Sequence, residues 1–187
     1  MKVLTGEFKG RNFYMPVNIR PTQNMVRKAV FDLLGHDLSG LRVLDLFAGS
    51  GALGFEAFSA GAKEVVAVEK DPLCLETIRT NMERFGLGEP RKDGRMFEVF
   101  GADVFVTIKM LARQGRKFDV VFLDPPYDAG LAKKTLKTLS AYDILHPNFR
   151  IVVEFGKLEG LASCEHDFNE ITLRRYGKSC LAIYGVK

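Results

Sequence analysis

The stretch Leu41-Arg42-Val43-Leu44-Asp45-Leu46-Phe47-Ala48-Gly49-Ser50-Gly51-Ala52-Leu53-Gly54 changes character halfway along. Residues 42–47 form a short apolar run broken by Asp45, the pattern of a strand covered on both faces. Three glycines at GxGxxG spacing follow, and a helical pattern begins at about residue 52 and runs to about 60. Glycine adopts backbone conformations closed to other residues and lets another group approach the main chain, so this is a tight strand-to-helix turn able to receive a ligand. Outward from it the alternation continues: strand 64–70, helix 72–86, strand 97–101, helix 103–113, strand 118–124, helix 130–141, strand 150–155. Such alternation requires right-handed crossovers, hence a three-layer, Rossmann-like α/β fold with a mostly parallel sheet.

Individual elements carry their own signals. Pro72 suits the first position of a helix, and Leu75, Ile78, Met82 and Phe85 recur on one face as a core stripe. The tail differs in kind: 168–176 and 179–186 read as two strands joined near Gly177-Lys178 with no helix between, so they pair antiparallel. Residues 2–8 and 11–17 read as a hairpin around Lys9-Gly10, with Phe8, Phe13 and Tyr14 among the cations. Arg20-Pro21-Thr22 then opens a helix over 20–36, with Thr22 as its cap and Val26, Val30, Phe31, Leu33 and Leu34 as its apolar stripe. The breaker-rich 86–95 segment is a polar surface loop and a candidate second basic contact. The expected organisation is one domain over 1–187: a basic arm at 1–17, the helix at 20–36 and the Rossmann-like core at 41–187.

Composition narrows the classes. No run reaches the roughly 18 apolar residues of a membrane span, and Met1-Lys2-Val3-Leu4 leads into charged residues instead of a signal-peptide core, so a cytoplasmic protein without a membrane partner is expected. Cys74, Cys164 and Cys180 are too scattered for a disulfide framework, and with His36, His146 and His166 equally dispersed no metal site is expected. The net charge of +4 is unevenly spread: residues 1–28 carry +5 and the remainder −1. Lys9, Arg11, Arg20 and Arg27 therefore mark the arm as the place for phosphate contacts, the alternative being a merely solvated face.

Two constellations carry chemistry. In the first, Glu69 ends the strand after the glycine turn, where a carboxylate accepts both hydroxyls of a bound ribose. GxGxxG with a later acid also fits a dinucleotide, but Asp45, four residues before Gly49, would repel a pyrophosphate and attract an ammonium. Asp103, at the start of the third core helix, is either a helix cap or an acceptor for an adenine amine. These acids match S-adenosylmethionine better than NAD. In the second, Asp124-Pro125-Pro126-Tyr127 closes the apolar run 118–123. Proline stiffens the turn and leaves carbonyls uncommitted, so Asp124 and the Pro125 carbonyl can both accept from one NH₂ group while Tyr127 stacks on the attached ring. Taken alone, Asp-Pro-Pro is also an ordinary turn at a strand end.

Residues 44–54, Glu69, Asp103 and 124–127 together resemble the class I S-adenosylmethionine-dependent methyltransferases of exocyclic amines. Gly6-Glu7-Phe8-Lys9-Gly10-Arg11, Arg20-Pro21-Thr22 with Val26-Arg27 and Phe31, Arg175-Tyr176-Gly177 and Ile183-Tyr184 extend the likeness to the bacterial RsmD family. Thr5 and Phe8 depart from the Gly and Trp usual there, as does the length of the 86–95 loop. The resemblance implies a seven-stranded sheet whose last strand is inserted antiparallel. It implies methylation of guanine N2 in 16S ribosomal RNA on assembled small-subunit particles, by a monomer. The cofactor is then held by Asp45, Phe47, Gly49, Gly51, Gly54, Glu69, Lys70, Asp103 and Val104. Asp124 to Tyr127 work on the base, and Lys9, Arg11, Arg20, Thr22 and Arg27 contact the RNA. Competing readings are methylation of adenine N6, cytosine N4 or a glutamine amide, a non-catalytic ribosome-assembly factor that binds the cofactor, and an NAD-dependent dehydrogenase.

Overall fold

A computed structural model describes residues 1–16, 24–89, 91–126, 130–157, 160–161 and 164–186. Its elements are α1 (Asn24–Leu34), β1 (Arg42–Leu46), α2 (Ala52–Ser59), β2 (Glu64–Glu69), α3 (Pro72–Phe85), β3 (Met96–Gly101) and α4 (Val104–Arg113). They continue with β4 (Phe118–Leu123), α5 (Leu131–Ala141), β5 (Leu145–Gly156), β6 (Cys164–Glu165), β7 (Phe168–Tyr176) and β8 (Ser179–Gly185). The strands form one sheet in the order β3-β2-β1-β4-β5-β8-β7-β6. β1 to β5 are mutually parallel, and β8 runs antiparallel between β5 and β7, the expected insertion. The two-residue β6 makes the sheet eight-stranded by pairing with the outer edge of β7.

Alternation along the strands separates two cores. Val43, Val65, Ala67, Val120, Phe122 and Val152 join the cluster that includes α1, α2 and α3 side chains. Leu44, Leu46, Val66, Val68, Val121, Leu123, Ile151 and Val153 join the cluster with Ile108 and Leu111 of α4 and Leu136 and Leu139 of α5. Residues two apart share a face. Asp45, Glu69, Asp124 and Glu154 therefore all fall on the α1–α3 side, at the carboxyl ends of β1, β2, β4 and β5. The chain reverses direction across the sheet between β1 and β4, and a crevice at such a switch point is where open α/β sheets bind ligands.

Three expectations require correction. The N-terminal hairpin is present but shorter than expected over 2–8 and 11–17: around the Lys2–Asn12 bridge, Met1 and Phe13 exchange main-chain hydrogen bonds, Val3 N–H donates to the Arg11 carbonyl and Gly10 N–H to the Val3 carbonyl. Residues 5–10 are bends and turns. The pairing stops there because the intervening main-chain donors go to α2. Leu4 and Thr5 N–H donate to the Glu56 carboxylate, Phe8 N–H to Ser59 Oγ and Glu7 N–H to the Ser59 carbonyl. α1 is described over Asn24–Leu34 and ends two residues before the expected 36, while Arg20, Pro21 and Thr22, the expected start and cap, lie outside the described residues. β5 starts at Leu145, five residues before the expected 150, continuing its pairing with β4 through a register shift between Phe118 and Val120.

Candidate active site

The glycine turn is braced from below and from the side. Gly51, at φ 77°, sits in the left-handed region that starts α2 without a side-chain cap. Gly54 is needed for closeness: a Cβ there would lie 3.1 Å from Asp45 Oδ2 and 3.2 Å from the Phe97 ring. In its absence the Gly54 N–H donates to Asp45 Oδ2 at 2.9 Å. Glu69 clips two loops together, its Oε2 accepting from Gly49 N–H (2.8 Å) and its Oε1 from the N–H groups of Lys70 and Asp71. Asp71 caps α3 by accepting from Leu73 and Cys74 N–H, and Asp103 caps α4 by accepting from Phe105 and Val106 N–H. The cap at Asp103 is thus realised while the residue also lines the crevice.

The crevice has a volume of about 560 Å³. Its walls bring together every residue expected at the cofactor except Gly51 and Gly54, which stand behind the turn, and add Asp124, Pro125 and Pro126. Asp45 is 1 % exposed. Burial raises its pKa, the Gly54 hydrogen bond opposes this, and the charges of Asp124 and Glu69 raise it further, to about 8. A cation entering the crevice would restore the Asp45 carboxylate and relieve the repulsion among these acids. A pyrophosphate would find the Gly49 N–H already taken by Glu69 and the Gly54 N–H by Asp45, the donors that a glycine-rich turn otherwise offers to phosphate. The donor set favours a positively charged nucleoside cofactor over NAD.

On the other side of the crevice Asp124 is half-buried, Pro125 buried and Pro126 exposed. Tyr127 lies outside the described residues. Glu154 of β5, 6 % exposed, lines the same space one residue beyond Val153, the partner of Leu123. The sequence reading missed it, although a lone acid inside Ile151-Val152-Val153-Glu154-Phe155 repeats the signal that singled out Asp45. Met15, Asp71, Cys74, Phe105 and Leu131 were missed as well. Of these, Asp71 before Pro72 was recoverable as a cap. Burial first, then Glu69 and Asp71, push the Cys74 thiol up to about 12, which leaves it protonated and unfit as a nucleophile. Among the described residues no His, Cys, Asp or Glu group could hold a metal, and no helix is long and apolar enough to cross a membrane.

The basic arm is largely occupied by the fold. Arg27, expected at the rim, is fully buried: Nη2 donates to the Lys2 carbonyl and Asn24 Oδ1, and Nε lies 3.5 Å from Glu56, itself buried. It cannot touch RNA. α1 is amphipathic with Arg27 on its inner face, where the buried Glu56 offers the compensating charge. Arg11 donates to the Arg84 carbonyl and covers the rings of Phe8 and Phe85 at the far end of α3. Ten residues of helix separate Arg84 from Cys74, so Arg11 sits ~15 Å from the crevice. Lys9 is exposed on the same far side. In the 86–95 loop Arg91 and Arg95 pair with Glu7 and Asp93 and cover Phe58. By contrast α4 and α5, which start at the crevice and contain no acid, expose Lys109, Arg113, Lys133, Lys134 and Lys137.

The family described as Conserved hypothetical protein 95 matches residues 1–185. Ribosomal RNA small subunit methyltransferase D of Haemophilus influenzae is 32% identical over 170 residues, covering 89% of this chain and 84% of that protein. The Escherichia coli K12 protein of the same name is 30% identical over 163 residues, covering 86% and 77%. Among solved structures, hypothetical protein TTHA0928 of Thermus thermophilus shares the fold with a TM-score of 0.84 at 33% identity, over 100% of this chain and 99% of that one.

Proposed function

Because the chain belongs to the Conserved hypothetical protein 95 family, the RsmD-type methyltransferases, we propose that it transfers a methyl group from S-adenosylmethionine to N2 of a guanine in 16S ribosomal RNA, on small-subunit particles. The observation that carries this reading is the set of acids on one sheet face. Asp45 and Glu69 are locked to the glycine turn, Asp124 stands across the crevice, and the Gly49 and Gly54 N–H groups are already held by these acids instead of facing a pyrophosphate. Bound S-adenosylmethionine supplies an electrophilic methyl group on a sulfonium. Asp45 offers its ammonium a carboxylate, the remaining lone pairs of Glu69 suit the ribose hydroxyls, and Asp103 and Val104, which line the same crevice, would hold the adenine.

Guanine N2 is a weak nucleophile because its lone pair is delocalised into the ring. Asp124 and the Pro125 carbonyl accept its two N–H groups and turn that lone pair toward the methyl donor, and Tyr127 stacks on the extruded ring. As the N–C bond forms at the expense of the methyl–sulfur bond, whose electron pair would stay on the departing neutral thioether, N2 becomes positive, which the Asp124 carboxylate stabilises, and the same carboxylate is at hand for the released proton. Holding the two reactants in line is worth up to about 7–11 kcal/mol. The buried Pro125 and the rigid turn supply that hold at low entropic cost. RNA phosphates are met by the exposed cations of α4 and α5 beside the crevice and, farther out, by Lys9 and Arg11.

Mass spectrometry of 16S RNA from cells lacking the protein tests the product: one N2-methylguanosine should disappear, whereas loss of a methylated adenine or cytosine would replace the reading. Asp124→Ala should lower methyl transfer at least about a hundredfold with cofactor affinity nearly unchanged. Asp124→Asn, which keeps an acceptor, should lose less. A single-turnover rate for Asp124→Asn equal to that of the wild type would assign the carboxylate a role in positioning alone.

A further inference from the structure

Glu154 is a buried acid in a strand whose neighbours are Ile151, Val152, Val153 and Phe155, and Leu181 of β8 lies opposite it. Its burial is nearly complete, yet it lines the crevice. The last paired residues of β4 and β5 there are Leu123 and Val153, so Asp124 and Glu154 follow side by side. Both continue the face of Phe122 and Val152, and adjacent same-face Cβ atoms stand roughly 5 Å apart. Two carboxylates at that spacing form a pair of acceptors.

Guanine is the base that such a pair fits. Its N2 amine is flanked by the ring N1–H, so its edge presents donors side by side. In adenine the NH₂ group is flanked by N1, an acceptor, and in cytosine by N3, also an acceptor. The Asp124-Pro125 turn alone grips any exocyclic amine and reads nothing of the ring. We propose that Glu154 accepts the N1–H of the target guanine and thereby selects guanine over adenine and cytosine. The inference rests on the guanine-N2 reading above. With adenine or cytosine in place, the buried carboxylate would face a lone pair, an unpaired polar contact that sites of this kind reject strongly.

The test uses the full-length enzyme, tritiated S-adenosylmethionine and small-subunit particles from cells lacking the protein, with the methylated nucleosides identified by mass spectrometry. Glu154→Met keeps the side-chain length but removes both acceptor oxygens and should lower turnover at saturating cofactor at least tenfold, with calorimetric S-adenosylmethionine affinity within about twofold of wild type and a melting temperature no lower than that of the wild type. A wild-type rate for Glu154→Met overturns the proposal, and so does a parallel loss of cofactor affinity, which would assign the residue to the cofactor. Competition against the unmodified enzyme needs no variant. Guanosine should inhibit at concentrations where 2-aminopurine riboside, which keeps the 2-amino group but has an acceptor at N1, does not; equal inhibition removes the role of Glu154. If the wild-type product is not N2-methylguanosine, the underlying guanine reading fails. If it is, and the Glu154 results go the other way, only the selection by Glu154 fails.

Discussion

The two ends of the sheet hold opposite charges in opposite conditions. At the carboxyl end Asp45, Glu69, Asp124 and Glu154 converge on a crevice, and Asp45 is buried deeply enough to hold its proton. At the other end Arg11, Arg27, Arg84, Arg91 and Arg95 lie over Phe8, Phe13, Tyr14, Phe58 and Phe85 and donate to main-chain carbonyls or acids. Like charges crowded around a space keep an unfavourable energy that a ligand can relieve. Cations paired and stacked within the fold have been neutralised by it. A cluster of charge in a sequence is thus no guide to a ligand until its partners are known.

That contrast can be broken in four places. The largest effect is expected at Arg27: Arg27→Met strands the buried Glu56 and should cost about 3–5 kcal/mol in denaturant unfolding. Adding Glu56→Gln should recover much of it, while RNA affinity at a temperature where both variants are folded stays level. A loss of RNA affinity in the folded single variant would return Arg27 to the interface.

Next comes the salt dependence of RNA binding. If about five cations meet phosphate, log affinity should fall against log salt with a slope of about −3.5. Lys109→Glu and Lys137→Glu should each flatten it, and Arg95→Gln, whose charge is already spent on Glu7 and Asp93, should not.

The third test concerns pH. The folded protein holds the Asp45 proton up to about pH 8, whereas an unfolded Asp releases it near pH ~4. Proton binding therefore favours the folded state between these values. The contribution of Asp45 to the stability of the cofactor-free protein declines as pH rises through that window and is level above it. A cationic cofactor binds the ionised form, so its affinity should rise by up to about tenfold per pH unit from 6 to 8. Asp45→Asn should flatten both profiles while weakening cofactor binding.

The smallest effect is expected at Glu7. Burial raises its pKa, but hydrogen bonds from Arg95 and then Arg91 outweigh this and hold it below the ordinary value. Glu7 is 40 % exposed and its charge is screened by solvent, so Glu7→Gln should cost no more than about 1 kcal/mol by thermal melt.

The alternating pattern was legible because each strand buried on both faces must be apolar and each covering helix must carry a stripe. β1 to β4 and α2 to α5 end within one or two residues of expectation. The N-terminal hairpin is shorter than the alternation over 2–17 suggests, because the N–H groups of Leu4, Thr5, Glu7 and Phe8 go to Glu56 and Ser59, some fifty residues away. Glu154 escapes a reading of the sequence because, unlike Asp45 and Asp124, this lone acid of an apolar strand has no glycine turn or Asp-Pro-Pro corner beside it to mark it. Its meaning comes from Asp124 on the neighbouring strand.

The sequence by itself determined the strand-turn-helix frame, the glycine turn and the rigid Asp124-Pro125-Pro126 corner. Those depend on dihedral freedom and on periodicities of two and 3.6 residues, which are local properties of the chain. Only the tertiary structure decided which charges face the crevice and which are spent inside the fold. Burial and pairing belong to contacts between segments far apart in sequence, and these contacts leave Asp45 holding a proton, Arg27 sealed against Glu56 and Glu154 beside Asp124.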